Sequence, residues 1–333
     1  MPRPKIGLVL GSGSARGWCH IGIIEALNEK GIIPDIVCGS SIGAMVGAAF
    51  VADRMSPLKD WVLALKWREI ASSVSVGLSD GGLIDGNVFK DLMVKLKIDA
   101  PIESYATPFA CVATDLATGR EIWLRDGPVH EAVRASMAMP GVFSPARQGE
   151  EWLLDGGLVN PVPVSTCRAL GADFIIAVNL NDNLVDGRIE TSVAGQGQYG
   201  HRITKATVSE GLFQKVPPSI QQRISKIAPH PRTPKPAAPG YFEVFESSIN
   251  IMQEQITQGR LTAEPPDVML VPRVAHMGLF DFQRAQEAIA EGRTCVEQAL
   301  PKLKSAHLTK CGAKPETRVP ADPPGKPVAD RLH

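Results

Sequence analysis

Short unbroken apolar runs recur through the first half of the chain, and several are followed by a segment whose apolar residues return every three or four positions. The runs read as strands buried on both faces, and the periodic segments as helices packed over them. Ile6–Leu10 opens the series as a strand. A helix is predicted over Trp18–Lys30, closed by Gly31, where a left-handed residue usually ends a helix. Ile36–Cys38 is the next strand, and Ile42–Ala52 the next helix, apolar all round and therefore buried. Pro108–Thr114, Glu121–Leu124, Trp152–Leu154 and Phe174–Asn179 are further strands, with Val164–Leu170 as a crossover helix between the last two. This alternation predicts an α/β protein with a mostly parallel central sheet.

The pattern changes after about Asn181. Residues 183–200 are rich in Gly, Asp and Gln and read as a loop. Residues 201–235 carry seven Lys and Arg against the single acid Glu210, a net +6, and Pro229, Pro231, Pro234, Pro236 and Pro239 make the end of this region a stiff linker. A helix is predicted from Phe242 to about Gln258, with Phe242, Phe245, Ile249, Met252 and Ile256 as its apolar stripe. Val268–Val271 reads as a late strand and Phe282–Leu303 as a closing helix. The expected organisation is a catalytic core over 5–181, a basic, Pro-rich insertion over 182–240, and C-terminal helices with the late strand over 241–305. A disordered tail is expected over 306–333.

Composition narrows the class. The chain has 333 residues, 44% of them apolar, enough for a sizeable core. Its 35 basic and 35 acidic residues cancel, so nothing in the charge favours nucleic acid. Cys19, Cys38, Cys111, Cys167, Cys295 and Cys311 show no metal-ligand spacing, and most sit in apolar runs. They read as reduced core thiols of a cytoplasmic protein rather than a disulfide framework. The longest near-apolar stretch, Ile42–Ala52, is too short to span a membrane, so contact with one is expected to be peripheral.

Three glycine-bearing turns each follow a predicted strand. Gly39-Ser40-Ser41-Ile42-Gly43 has the spacing of a nucleophile elbow, in which a strained serine needs neighbours without side chains. The same residues also fit an ordinary strand-to-helix turn capped by Ser40 or Ser41. Gly11-Ser12-Gly13-Ser14-Ala15-Arg16-Gly17 frees backbone N–H groups at a helix start. It could serve as an oxyanion hole or as a dinucleotide cradle. The cradle needs an acid at the end of the second strand, where this chain has Gly39-Ser40-Ser41; Asp35 instead precedes that strand. Asp155-Gly156-Gly157 is a tight turn by default and gains interest because a nucleophilic Ser41 needs a proton acceptor. Among the histidines, His276 alone follows a late strand, as a triad member would. Only one β–α unit precedes Ser41, which does not fit the α/β-hydrolase chain order.

Leu10 to Gly17 leading into Trp18-Cys19-His20-Ile21-Gly22, then Gly39 to Gly43, Ala135-Ser136-Met137-Ala138-Met139-Pro140-Gly141-Val142-Phe143, and Asp155-Gly156-Gly157 occur in one order. In these stretches the chain resembles the patatin-like phospholipases, most closely the small bacterial cytoplasmic members related to neuropathy target esterase. The resemblance covers about residues 5–181 strongly and Leu261 to Ala285 more weakly. It implies a three-layer α/β/α fold with a C-terminal helical addition and a Ser–Asp dyad without histidine. It also implies Ser41 as nucleophile, Asp155 as base, backbone N–H groups around Ser12, Gly13 and Ser14 as oxyanion hole, and Arg16 ordering that loop. The supporting glycines are Gly11, Gly17, Gly39, Gly43, Gly156 and Gly157. The family commonly has glycine where Ser12 and Ser14 stand, so a positive φ at either would strain it.

The resulting expectation is a serine acyl hydrolase that cleaves phospholipid or lysophospholipid esters through an acyl-Ser41 intermediate, without metal or organic cofactor. The alternatives are an esterase or thioesterase for soluble acyl substrates, and a nucleotide-binding oxidoreductase. Residues 201–235, with Leu212, Phe213, Val216, Ile220, Ile224 and Ile227 among their charges, suit a peripheral contact with an anionic membrane. A solvated insertion or a subunit contact is the alternative reading.

Overall fold

The alternating apolar runs form one eight-stranded sheet, in a computed structural model that describes residues 3–65, 86–182 and 240–312. In chain order the elements begin with β1 (Ile6–Leu10), a 3-10 turn (Ser14–Trp18), α1 (Cys19–Glu29), β2 (Ile36–Ser40) and α2 (Ile42–Val51). Next come α3 (Met55–Ala64), α4 (Gly86–Lys95), β3 (Phe109–Asp115), β4 (Glu121–Leu124) and α5 (Val129–Ser136). β5 (Ala146–Gln148), β6 (Glu151–Asp155), α6 (Val164–Ala169) and β7 (Phe174–Val178) come after them, and then α7 (Tyr241–Ala263), β8 (Val268–Leu270) and α8 (Ala285–Gly312). The sheet order is β5-β6-β3-β2-β1-β7-β8, with β4 also paired to β3. β3, β2, β1, β7 and β8 run parallel, whereas β4 and β6 pair antiparallel with β3, and β5 with β6.

Alternate residues of the central strands face opposite layers, because a strand repeats every two residues. Leu8, Leu10, Val37, Cys111 and Ile176 join a core with α1, α2, α5 and α8. Val9, Cys38, Ala110 and Ile175 join a second core with Val164 and Cys167 of α6. This is the expected three-layer α/β/α arrangement. α1 and α8 approach closely: a Cβ on Gly22 would sit 1.9 Å from the Ile289 carbonyl oxygen, and one on Gly292 would sit 2.1 Å from that of Cys19.

By its internal contacts the chain divides into two compact units, Met1–Asp182 with Asn250–His333, and Asn183–Ile249. The basic segment 201–235 and residues 313–333 lie outside the described residues. α8 continues through Pro301 to Gly312, so 306–312, expected as tail, are helical; buried Leu303 anchors the helix beyond the proline. α7 departs from its expected stripe. Of that stripe Ile249 is buried but Met252 is 46% exposed, and the buried line runs on through the polar Asn250, Gln253 and Thr257, spaced three and four apart. Apolar periodicity cannot register a face that is buried and polar. Five cysteines, Cys19, Cys38, Cys111, Cys167 and Cys295, are buried free thiols. Among the described residues no helix is long and apolar enough to cross a membrane.

Candidate active site

β1 and β2 lie side by side at the centre of the sheet and run in the same direction. Their carboxyl ends open at one edge, next to where the connection order reverses from β2 to β7, the usual place for a site in such sheets. The loop Gly11–Gly17 leaves β1 there, and Ser41 leaves β2. Register then brings in the third turn. Ser40 pairs with Val112 of β3, and the next residue of β3, Ala113, pairs with Asp155. Ser41 and Asp155 therefore stand level on opposite sides of β3.

Ser41 has φ 54° and ψ −122°, the strained conformation expected of an elbow. A Cβ at Gly39 would come within 2.5 Å of the Ala44 backbone, and one at Gly43 within 2.1 Å of the Leu10 carbonyl oxygen. Both positions must lack a side chain for α2 to start this close to β1. The helix directs its positive end toward Ser41. Ser40 is fully buried, and its hydroxyl has no hydrogen-bond partner among the described residues.

Ser41 Oγ donates to Asp155 Oδ2 at 2.6 Å. The other carboxylate oxygen, Oδ1, accepts from the Gly157 N–H at 2.7 Å, so the Asp-Gly-Gly turn holds its own aspartate in place. Burial pushes the Asp155 pKa up from 3.8 to about 6, while the bonds from Ser41 and Gly157 pull it down. The carboxylate is thus a stronger base than an exposed one, though still ionised at neutral pH.

The glycine loop is fixed from several sides. His20 Nε2 donates to the Gly11 carbonyl at 2.8 Å. Burial lowers the His20 pKa from 6.5 to about 4, so the ring stays neutral and holds the loop. Arg16, fully buried, donates from Nε to the Met277 carbonyl at 2.8 Å and from Nη1 to Asn250 at 3.2 Å. The expected oxyanion hole needs one correction. The Ser12 N–H donates to the Pro161 carbonyl at 2.8 Å, so it cannot also receive an oxyanion. Gly13 and Ser14 are left as the loop's amides without an acceptor among the described residues. Ser14 has φ 52°, the strained value that a serine in a glycine place risks.

Two further expectations resolve in place. His276 bonds Glu287 at 2.7 Å on the surface and is not joined to Ser41. Asp35 holds the Arg3 guanidinium and the Ile6 N–H, a structural role at the start of β1. Sequence reasoning missed Gln253, whose amide nitrogen would lie 2.5 Å from a Cβ on Gly157, and whose buried Oε1 has no partner among the described residues. Its only sequence signal was a polar residue inside an otherwise helical pattern. Among the described residues no group of three or more His, Cys, Asp or Glu is placed to hold a metal ion.

At this edge of the sheet a serine on a strained elbow is thus bonded directly to a buried aspartate. Residues 8–168 match the patatin-like phospholipase family. An uncharacterized NTE family protein of Mycobacterium tuberculosis is 31% identical over 333 residues, spanning 89% of this chain and 91% of that protein. The chain belongs to this family of patatin-like, NTE-related proteins. Lysophospholipase nte1 of Emericella nidulans is 34% identical over 319 residues, covering 90% of this chain but 18% of that much longer protein. Patatin-like phospholipase domain-containing protein 7 of Mus musculus is 33% identical over 199 residues, 58% of this chain and 14% of that protein.

Proposed function

We propose that the protein is a lipid acyl hydrolase that cleaves phospholipid or lysophospholipid esters through an acyl-Ser41 intermediate. The observation that carries this reading is the 2.6 Å bond from Ser41 Oγ to Asp155 Oδ2 on a strained elbow. Family membership and the names of the fungal relatives support a lipid substrate.

The chemistry derives from the geometry. Asp155 takes the Ser41 proton as Oγ attacks the ester carbonyl. Charge builds on the carbonyl oxygen, where the Gly13 and Ser14 N–H groups and the start of α2 would meet it. Collapse expels the alcohol, which takes the proton from Asp155 and leaves an acyl-Ser41 ester. Asp155 then deprotonates a water that attacks the acyl carbon, and the proton returns to Ser41 as the fatty acid leaves. A carboxylate buried beside the hydroxyl can do this because direct contact and a dry surround replace the imidazole of a triad. Residues 201–235 are the proposed membrane-facing segment, on the strength of their net +6 charge.

Incubation with mixed phospholipids and lysophospholipids, with mass spectrometry of the products, tests the substrate class. The expected products are free fatty acid with the matching deacylated lipid. Hydrolysis confined to short soluble esters would replace the lipid reading with a general esterase.

A further inference from the structure

The segment from Ala135 to Phe143 supplies neither nucleophile, base nor oxyanion donor. It begins at the end of α5 and passes between the elbow and the end of β6. The Ser41 N–H donates to Ser136 Oγ at 2.9 Å. Two residues further on, the Ala138 carbonyl accepts the Asp155 N–H at 3.0 Å. Ser136 and Ala138 are both fully buried. We propose that this segment is a clasp that sets nucleophile and base against each other, with Ser136 as the positioning residue for Ser41.

The need for a clasp arises from the dyad, on which this inference rests. Ser41 and Asp155 sit on strands separated by β3, and their side chains must meet without an intervening imidazole to take up slack. A base works within about 2.6–3.2 Å of its proton, and a misplacement of about 1 Å can cost about a hundredfold in rate. Ser41 is the N-cap of α2, so its N–H has no acceptor within that helix, and a buried amide without an acceptor would be costly. The Ser136 hydroxyl supplies that acceptor. A hydroxyl oxygen carries two acceptor lone pairs, so it can receive the Ser41 N–H whichever way its own proton points. The base is held through the main chain at Ala138, which no side-chain substitution there removes. Ser136 is the half of the clasp that mutation can open.

The test compares Ser136→Ala with Val133→Ala, a buried α5 neighbour that touches neither half of the dyad by any hydrogen bond of its side chain. Ser136→Ala is expected to lower kcat by about ten- to a hundredfold with KM nearly unchanged, and to slow fluorophosphonate labelling in parallel. The acid limb of its kcat profile should also move upward, because a displaced Ser41 no longer helps to hold the Asp155 proton off. Val133→Ala should lower thermal stability while leaving kcat per labelled site and the acid limb unchanged. Ser136→Ala with wild-type kcat and acid limb would overturn the clasp, as would a loss that only tracks the folded fraction. Should Ser136→Ala not fold, Ser136→Cys fills the space with a poorer acceptor, and its wild-type kcat would overturn the proposal equally. Activity surviving in Asp155→Asn would instead remove the dyad itself, so the two failures are distinguishable.

Discussion

Asp155→Asn is expected to fold normally and to lose ester hydrolysis by about a hundred- to ten-thousandfold, the usual weight of a positioned base. The amide is nearly isosteric and can keep the Gly157 N–H bond through its oxygen, but it cannot accept the Ser41 proton. His276→Ala should keep wild-type turnover, because that ring bonds Glu287 on the surface. Turnover on a soluble ester, normalised to folded protein, reads both. The reverse outcome would make the site a triad and remove the dyad.

The second large effect lies in pH. Asp155 must be ionised to act, so kcat/KM should fall as pH drops through about 6, the value to which burial raises its pKa. The same shift acts on stability. A carboxyl whose folded pKa is raised favours the folded state when protonated, so its contribution is full below 3.8 and is lost as pH rises through about 6. At about 1.36 kcal/mol per pH unit, that loss is about 3 kcal/mol. Asp155→Asn should therefore be the more stable protein at pH 8, by up to about 3 kcal/mol, with the gap closing toward pH 4. His20 runs the other way: its pKa is lowered to about 4, so its contribution is present above 6.5 and lost as pH falls. Taking the difference between wild type and variant cancels His20. Denaturant melts at pH 4, 6 and 8 measure it, and a gap that does not change with pH would contradict a raised Asp155 pKa.

Much of this site was legible because its demands are steric. Gly39 and Gly43 flank Ser41 since a Cβ at either would meet backbone, and a Cβ on Gly157 would come 2.5 Å from the Gln253 amide and 3.0 Å from the Asp155 carboxylate. Strands with unbroken apolar runs were legible for the same kind of reason: Glu121–Leu124 is β4 to the residue, and β1 likewise. The missed elements lack such a signal. β5 is only Ala146–Gln148, short and polar, and belongs to the sheet through its pairing with β6. β2 runs on to Ser40 because β3 continues beside it, not because Gly39 and Ser40 favour a strand. The polar face of α7 was invisible because polar residues at helical spacing read as a solvent face, whereas Asn250 is buried against Arg16 from a distant part of the chain. The occupied Ser12 N–H likewise depends on Pro161, which arrives from a distant part of the chain.

The central claim is that Ser41, and no other serine, is the nucleophile. Treatment with a fluorophosphonate probe, then peptide mass spectrometry, tests it most directly, because a poised Oγ displaces fluoride and keeps the phosphonyl group. A single adduct on Ser41, absent from Ser41→Ala, is the predicted result. An adduct on Ser40, or labelling that persists in Ser41→Ala, would contradict it.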